Sequence, residues 1–156
     1  MFRIILFTFL VVSMFLPAVH AGEEYEFVHC YFGKAKPMHE SKDLLPILTY
    51  RGDGIIMSKS ENNFLNNAAT HCKGLIIGKK IINYCVANDP DGDMLIWGTP
   101  ETGGLAGQSL LHGTGKYKGI KGSFRSQLTA NAKKPLKPGN YQQCRTMKGT
   151  YELSPE

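Results

Sequence analysis

This sequence lacks amphipathic helices, closely spaced cysteine pairs and glycosylation sequons, and each absence excludes a class of structure or removes a clue. No segment has a convincing amphipathic helical pattern, so the fold is expected to consist of strands. The cysteines include no Cys-x-x-Cys pair, which a four-cysteine metal site would require. No Asn-x-Ser/Thr sequon occurs, so glycosylation gives no indication of the host. These absences favour a strand-built domain that contains no metal site and no cofactor.

The N-terminal apolar run, Ile4–Leu16, follows the basic residue Arg3 and leads to a small-residue ending at Ala21. It is shorter than the roughly 18 to 20 residues that a membrane span requires, and no basic stop-transfer cluster follows it. The pattern predicts a secretory signal peptide at residues 1–21, cleaved after Ala21. Residues 22–156 then have the length of one domain with its own core.

The cysteines agree with export. Cys30, Cys72, Cys85 and Cys144 all lie after the predicted cleavage site. An even number of cysteines in an oxidising compartment indicates two disulfides. We therefore expect a secreted or periplasmic protein, with no membrane insertion once the signal peptide is removed.

The charge is mildly positive. The formal net charge of +5 becomes +4 when Arg3 is removed with the signal peptide. Positive charge can favour nucleic acid or anionic lipid as partners, but no aromatic-plus-basic binding motif accompanies it. We therefore predict no nucleic-acid partner and interpret the charge as a solvated surface.

Period-two patterns and turn residues divide the mature chain into eight strands. They are predicted at 25–32, 46–58, 71–77, 80–86, 94–98, 105–112, 119–129 and 141–153. The second is interpreted as one bent strand with a bulge rather than two short strands. Residues 60–69 allow either a short helix or an irregular loop. Eight antiparallel strands in a domain of this length predict an all-β protein, a single eight-stranded antiparallel β-barrel.

The clearest hairpin is centred on a two-residue turn, Gly78-Lys79. Counting outward from this turn places Cys72 opposite Cys85 in a non-hydrogen-bonded pair, where Cα atoms approach to roughly 4.5 Å. That separation permits a disulfide, which leaves Cys30 to pair with Cys144. Since the first and last strands of a closed up-and-down barrel are neighbours, the second bridge would fasten the seam.

Two turn-like stretches resemble known binding motifs without matching them. Asn88–Asp93 alternates aspartates as a calcium loop does, but its glycine is misplaced and the closing glutamate is absent. His112–Gly122 is rich in glycine, but its spacing fits neither a dinucleotide fingerprint nor a phosphate loop. We interpret the first as an ordinary turn and the second as a structural corner where a strand turns sharply. The corner glycines are Gly113, Gly115, Gly119 and Gly122.

The corner sequence His-Gly-Thr-Gly-Lys-Tyr-Lys-Gly-Ile-Lys-Gly resembles the Gly-Gly-Thr-Gly-Lys-Phe-x-Gly-x-x-Gly signature of allene oxide cyclase and dirigent-like barrels. Uncharacterised bacterial secreted proteins share this signature, and His112 replaces its first glycine here. The resemblance implies a calycin-like eight-stranded barrel with an apolar interior. In the plant families this barrel steers a reactive small molecule by enclosing it. The motif is structural there, so it implies a fold and assigns no catalytic residue.

Three functions fit such a barrel. The first is binding of a small apolar ligand in the lumen, with Tyr84, Trp97 and Tyr117 as candidate lining residues. The second is a cyclase or isomerase that uses His29 or His112 as acid or base, although both are also typical of surface or hydrogen-bonded structural histidines. The third is recognition of another protein through the loops at 33–45, 99–104 and 133–137.

The contents of the lumen discriminate among these functions. A lumen filled with side chains would favour protein recognition through the loops. An open cavity with an ionisable group at its floor would favour an enzyme, and one with only apolar walls would favour a carrier.

Overall fold

In the computed structural model, the chain closes into an antiparallel barrel in which each strand pairs with its neighbours in sequence and β1 pairs with β8. The structure describes residues 22–38, 43–78, 80–99, 107–132 and 137–154. The strands are β1 Glu23–Pro37, β2 Ile47–Ser58, β3 Ala69–Ile77, β4 Lys80–Asn88, β5 Met94–Gly98, β6 Gln108–Gly113, β7 Ile120–Asn131 and β8 Asn140–Leu153. This confirms the predicted all-β, eight-stranded fold. The predicted signal peptide, residues 1–21, lies outside the described residues.

Strand boundaries differ from prediction mainly at β1. This strand continues through Lys34 and Lys36 to Pro37, where a loop was expected. It does so because β2 and β8 both pair with it, and alternate charged side chains point away from the barrel interior. β2 is a single strand as expected, but its register with β1 shows no shift, so the expected bulge is wrong.

The connection between β2 and β3 is irregular rather than helical. Asn63, Leu65 and Asn67 have positive φ values of 52°, 56° and 59°. The turns they form carry Phe64 and Leu65 inward, where both are buried. Phe64 packs against Tyr25 and Tyr151, with ring centroids 4.5 and 4.6 Å away. This connection therefore plugs one end of the barrel, which we call the closed end.

The aspartate turn and the glycine corner meet at this closed end. Lys116 forms ion pairs with Asp89 and Asp91 at 2.6 Å each, and the Tyr117 hydroxyl donates to Asp89 at 3.0 Å. Gly115 has φ +48°, and a Cβ there would lie 1.7 Å from Asp93 Oδ1. The corner thus needs glycine because the aspartate turn packs directly on its backbone. The aspartate turn and the glycine corner therefore stabilise each other at the closed end.

Both predicted disulfides are present. Cys72–Cys85 joins residues paired in the β3–β4 hairpin, and Cys30–Cys144 joins residues paired across the β1–β8 seam. The Cα atoms of each pair are 4.0 Å apart. Cys72 and Cys85 are buried in the barrel interior, whereas Cys30 alternates with the inward-facing His29 and so lies on the outer side.

The described residues include no helix that is long and apolar enough to cross a membrane.

Candidate ligand-binding site

A cavity of about 110 Å³, partly open to solvent, occupies the barrel interior away from the closed end. Inward-facing residues of all eight strands line it because side chains alternate between the two faces of each strand. The lining residues are His29, Tyr31, Tyr50, Cys72, Ile76, Ile81, Asn83, Cys85, Trp97, Gln108, Ser126, Tyr141, Gln143, Arg145 and Met147. This cavity lies at the end of the barrel opposite the closed end, which we call the mouth.

The deepest part of the cavity is formed by Trp97 and His29, which are 0% and 1% exposed. Their rings meet edge to face with centroids 5.9 Å apart. His29 Nε2 forms a 2.7 Å hydrogen bond with the Thr70 hydroxyl. Burial lowers the pKa of His29 to about 4, so the imidazole is neutral at neutral pH.

Three buried polar atoms on the cavity wall have no hydrogen-bond partner among the described residues. They are His29 Nδ1, Trp97 Nε1 and Gln108 Oε1. The other end of the Gln108 amide donates from Nε2 to Asn83 Oδ1 at 3.2 Å, which fixes its orientation. A buried polar atom without a partner costs about 1–3 kcal/mol, so three around one cavity are a specific feature.

Tyrosines surround the outer part of the cavity. Tyr141 meets Tyr31 and Tyr50 edge to face, with centroids 5.9 and 6.2 Å apart. Burial raises the pKa of Tyr31, Tyr50 and Tyr141, so all three phenols are neutral at physiological pH. Gln143 donates to the Tyr31 hydroxyl, and Tyr141 donates to the carbonyl of Arg51 at 3.1 Å. The mouth therefore presents aromatic faces to whatever enters.

Arg145 on β8 places a guanidinium on the cavity wall. Its Nε donates to Ser126 Oγ at 2.6 Å and its Nη2 to the Ser126 carbonyl at 3.3 Å. Within the described part of the chain, no carboxylate lies within salt-bridge distance of it. The lining of the cavity likewise contains no aspartate or glutamate.

The three aromatic residues predicted to line the lumen do not lie together. Trp97 lines the cavity, but Tyr84 is 56% exposed and Tyr117 is buried at the closed end. Tyr84 cannot face inward because the next residue, Cys85, does. Their expected place in one lumen is therefore wrong for Tyr84 and Tyr117, and ligand binding by Trp97 stays a prediction.

The two histidines considered as acid or base lie in different parts of the molecule. His29 lies at the cavity floor, whereas His112 is exposed at the end of β6. Sequence reasoning missed Arg145, Gln108 and the mouth tyrosines. In β8 a signal was available, because Tyr141, Gln143, Arg145 and Met147 follow one another at period two.

Among the residues that the structure describes, no group of three or more His, Cys, Asp or Glu side chains is placed to hold a metal ion.

No family model matches the chain, and no curated protein matches it. Among solved structures, the chain is similar to the pterocarpan synthase dirigent protein GePTS1, with a TM-score of 0.47 and 11% identity, over 91% of this chain and 99% of that one. The barrel itself is established by the strand pairing of this chain. A relationship to allene oxide cyclases or to bacterial secreted proteins stays a prediction.

Proposed function

We propose that this protein binds a small molecule in the lumen of its barrel. The observation that carries the proposal is that His29, Trp97 and Gln108 all line one cavity and that each has a buried polar atom, Nδ1, Nε1 and Oε1 respectively, without a partner among the described residues. Binding sites are typically apolar concavities with a few convergent polar groups. A ligand that formed hydrogen bonds with these atoms would offset the free-energy cost of burying them without partners.

The cavity volume limits what the floor accommodates. At about 110 Å³ it is somewhat smaller than an engineered apolar cavity of ~150 Å³ that binds benzene. We infer that a group of roughly single-ring size reaches the floor, while any larger part of the ligand passes between the mouth tyrosines. The expectation of a wholly apolar ligand is therefore refined to an apolar or aromatic body that carries polar groups.

Export forms part of the proposal. Two disulfides are typical of proteins that fold in an oxidising compartment. Together with the predicted signal peptide, they favour a secreted or periplasmic carrier. Recognition of a protein through the loops has less support, because the lumen holds a cavity rather than being filled with side chains.

A cyclase or isomerase is the second candidate, and His29 is the observation that favours it. His29 lines the cavity, and its ring nitrogen Nδ1 has no hydrogen-bond partner among the described residues. However, a pKa of about 4 makes the imidazole a weak base at neutral pH, since general catalysis is most efficient when the pKa lies near the working pH. Binding is therefore the function that the geometry supports best.

The test uses the only tryptophan of the chain, which gives a single indole N–H resonance in ¹⁵N-labelled protein. We expect benzyl alcohol, a small neutral aromatic probe, to shift this resonance saturably at roughly millimolar concentration. A matched pair of variants locates the binding. Ile81→Phe narrows the cavity and should weaken the response, whereas Ile82→Phe faces outward and should not.

Absence of any saturable shift with both benzyl alcohol and the charged probe described below would contradict the proposal. Equal responses in the Ile81 and Ile82 variants would place the binding outside the lumen and contradict it as well.

A further inference from the structure

We propose that the lumen selects an anionic ligand, specifically a carboxylate on a small flat body, and that Arg145 binds its charged end. This inference rests on the proposed function and names the class of ligand. It is carried by the guanidinium on the cavity wall and by the distribution of charge around it.

The guanidinium keeps hydrogen-bonding capacity that the protein does not use. Arginine has five N–H donors, and two of them are directed to Ser126. No other hydrogen bond of this side chain is found within the described residues. The Ser126 contacts hold the plane of the guanidinium in place, so the remaining donors are already oriented for a partner. A carboxylate matches such a planar donor group with two parallel hydrogen bonds.

Other cations of the barrel have carboxylate partners, which Arg145 lacks among the described residues. Lys116 at the closed end is paired with Asp89 and Asp91, and Lys148 lies 3.9 Å from the Glu26 carboxylate. Arg145 is the cation that lines the cavity, where it is partly withdrawn from water. Partial burial of a charge without a counter-ion is unfavourable, and an anionic ligand would supply that counter-ion.

The cavity wall around Arg145 also suits an anion. Among the described residues it contains no carboxylate, and its histidine is neutral at physiological pH. The indole N–H of Trp97 is a donor only, and the neutral hydroxyls of Tyr31 and Tyr50 can donate, whereas the Tyr141 hydroxyl already donates to the Arg51 carbonyl. The groups available to a ligand therefore include several donors and one cation, beside one unpartnered acceptor, Gln108 Oε1.

A row of cations lies on the outer wall beside the mouth. Lys34 of β1 stands opposite Arg51 of β2, which stands opposite Lys73 of β3. With Lys36 they line a groove of about 420 Å³ that shares Tyr50 with the inner cavity. Like charges directly opposite one another destabilise a sheet, so the row is a structural cost. It raises the positive potential beside the mouth and with it the local concentration of small anions.

The experiment compares benzoate with benzamide, which has nearly the same shape but no charge. Binding of each is followed by the Trp97 indole resonance in the full domain. We expect benzoate to bind about tenfold more tightly than benzamide, as one charge-assisted pair allows. Arg145→Gln should abolish this preference while benzamide binding persists. The control Arg125→Gln removes the same charge from an exposed position on β7 and should keep the preference.

Two results would overturn the inference while leaving the proposed function standing. One is equal affinity of the wild-type protein for the two probes, and the other is a preference for benzoate that survives in Arg145→Gln. If Arg145→Gln fails to fold, Arg145→Lys serves instead. It keeps the charge but loses the planar donor pair, so the preference should fall severalfold, and an unchanged preference would exclude the two-oxygen contact. If no probe binds in any form, both the inference and the proposed function fail.

Discussion

The two ends of this barrel treat their polar groups in opposite ways. At the closed end, Asp89 is buried and accepts hydrogen bonds from Tyr117 and from the backbone amides of Asp91 and Asp93. Among the residues that line the cavity, three buried polar atoms have no partner among the described residues, compared with one near the closed end, the Tyr25 hydroxyl. This difference supports the proposal that the closed end stabilises the fold and the mouth binds a ligand.

Charge follows the same division. Eight carboxylate residues lie on the strand ends and connections of the closed end: Glu23, Glu24, Glu26, Glu61, Asp89, Asp91, Asp93 and Glu152. Cations dominate the outer wall beside the mouth, and the one charged side chain among the described residues of the cavity is also a cation, Arg145. The barrel is thus electrically polarised along its axis. A field of this kind attracts anions to the mouth and repels them from the closed end.

The glycine corner, which carries the resemblance to allene oxide cyclase and dirigent-like barrels, lies at the closed end of the barrel. The residues that line the cavity lie outside that signature. The resemblance therefore gives no information about the lining of the cavity.

The disulfides give the largest expected contrast in stability. Replacing Cys30 and Cys144 with alanine should lower the free energy of unfolding by about 5 kcal/mol, and replacing Cys72 and Cys85 by about 3 kcal/mol, because the longer loop restrains the unfolded chain more. The loops span 114 and 13 residues. Urea unfolding of both double variants measures the two values. A larger loss from the hairpin bridge would contradict the role given to the seam.

Aromatic substitutions at the two ends should separate stability from binding. Phe64→Ala should lower the free energy of unfolding by about 4 kcal/mol, since it empties the plug between Tyr25 and Tyr151. Tyr141→Phe at the mouth removes only the hydrogen bond to the Arg51 carbonyl and should cost about 1 kcal/mol or less. Denaturant titration checks both. Comparable losses would remove the distinction between the ends.

His29 should make the stability of the protein sensitive to mild acid. Its pKa of about 4 in the folded protein lies below the ordinary value near 6.5, so the unfolded state binds more protons between these values. Stability should therefore fall by roughly 3 kcal/mol as the pH falls from about 6.5 to about 4. His29→Gln should remove this part of the pH dependence. Denaturant unfolding of the wild type and of His29→Gln at neutral and mildly acidic pH measures this dependence. If the free energy of unfolding changes equally with pH in both proteins, the prediction is wrong.

Asp89 should act at lower pH and with a smaller effect. Burial alone would raise the pKa of this carboxyl, but Lys116, Tyr117 and the Asp93 amide together hold it below its ordinary value. Its stabilisation is therefore present above about pH 4 and is lost as the pH falls through the lowered pKa. Asp89→Asn should cost about 1–3 kcal/mol at neutral pH and reduce the loss of stability in strong acid. The shift of the Trp97 resonance by benzyl alcohol should stay unchanged, and a weakened response would link the two ends.

Local rules predicted the fold well. The two-residue turn at Gly78-Lys79 fixed the register from Ile77 opposite Lys80 outward to Cys72 opposite Cys85, because a hairpin turn determines every later pair. The Cys30–Cys144 pair followed from closure of the barrel, which makes the first and last strands neighbours. Both predictions depend on pairing along the sheet, which sequence spacing specifies.

The site could not be predicted because it depends on which face of each strand points inward. Tyr84 and Cys85 cannot both face the lumen, and a cross-strand disulfide fits either face, so the sequence did not choose between them. The same ambiguity concealed Arg145 beside Cys144. Closure of the barrel resolves the choice for all strands at once, and only then do the inward side chains form one wall.

The seam between the first and last strands has a practical consequence. Glu23 of β1 pairs with Tyr151 of β8 at the closed end, so both strand ends leave the barrel on the side opposite the mouth. A tag or surface tether attached beyond either strand would hold the molecule with its cavity facing the solution. Joining these ends by a short linker and reopening the chain between Ile77 and Lys80 would give a circular permutant that retains every strand pair.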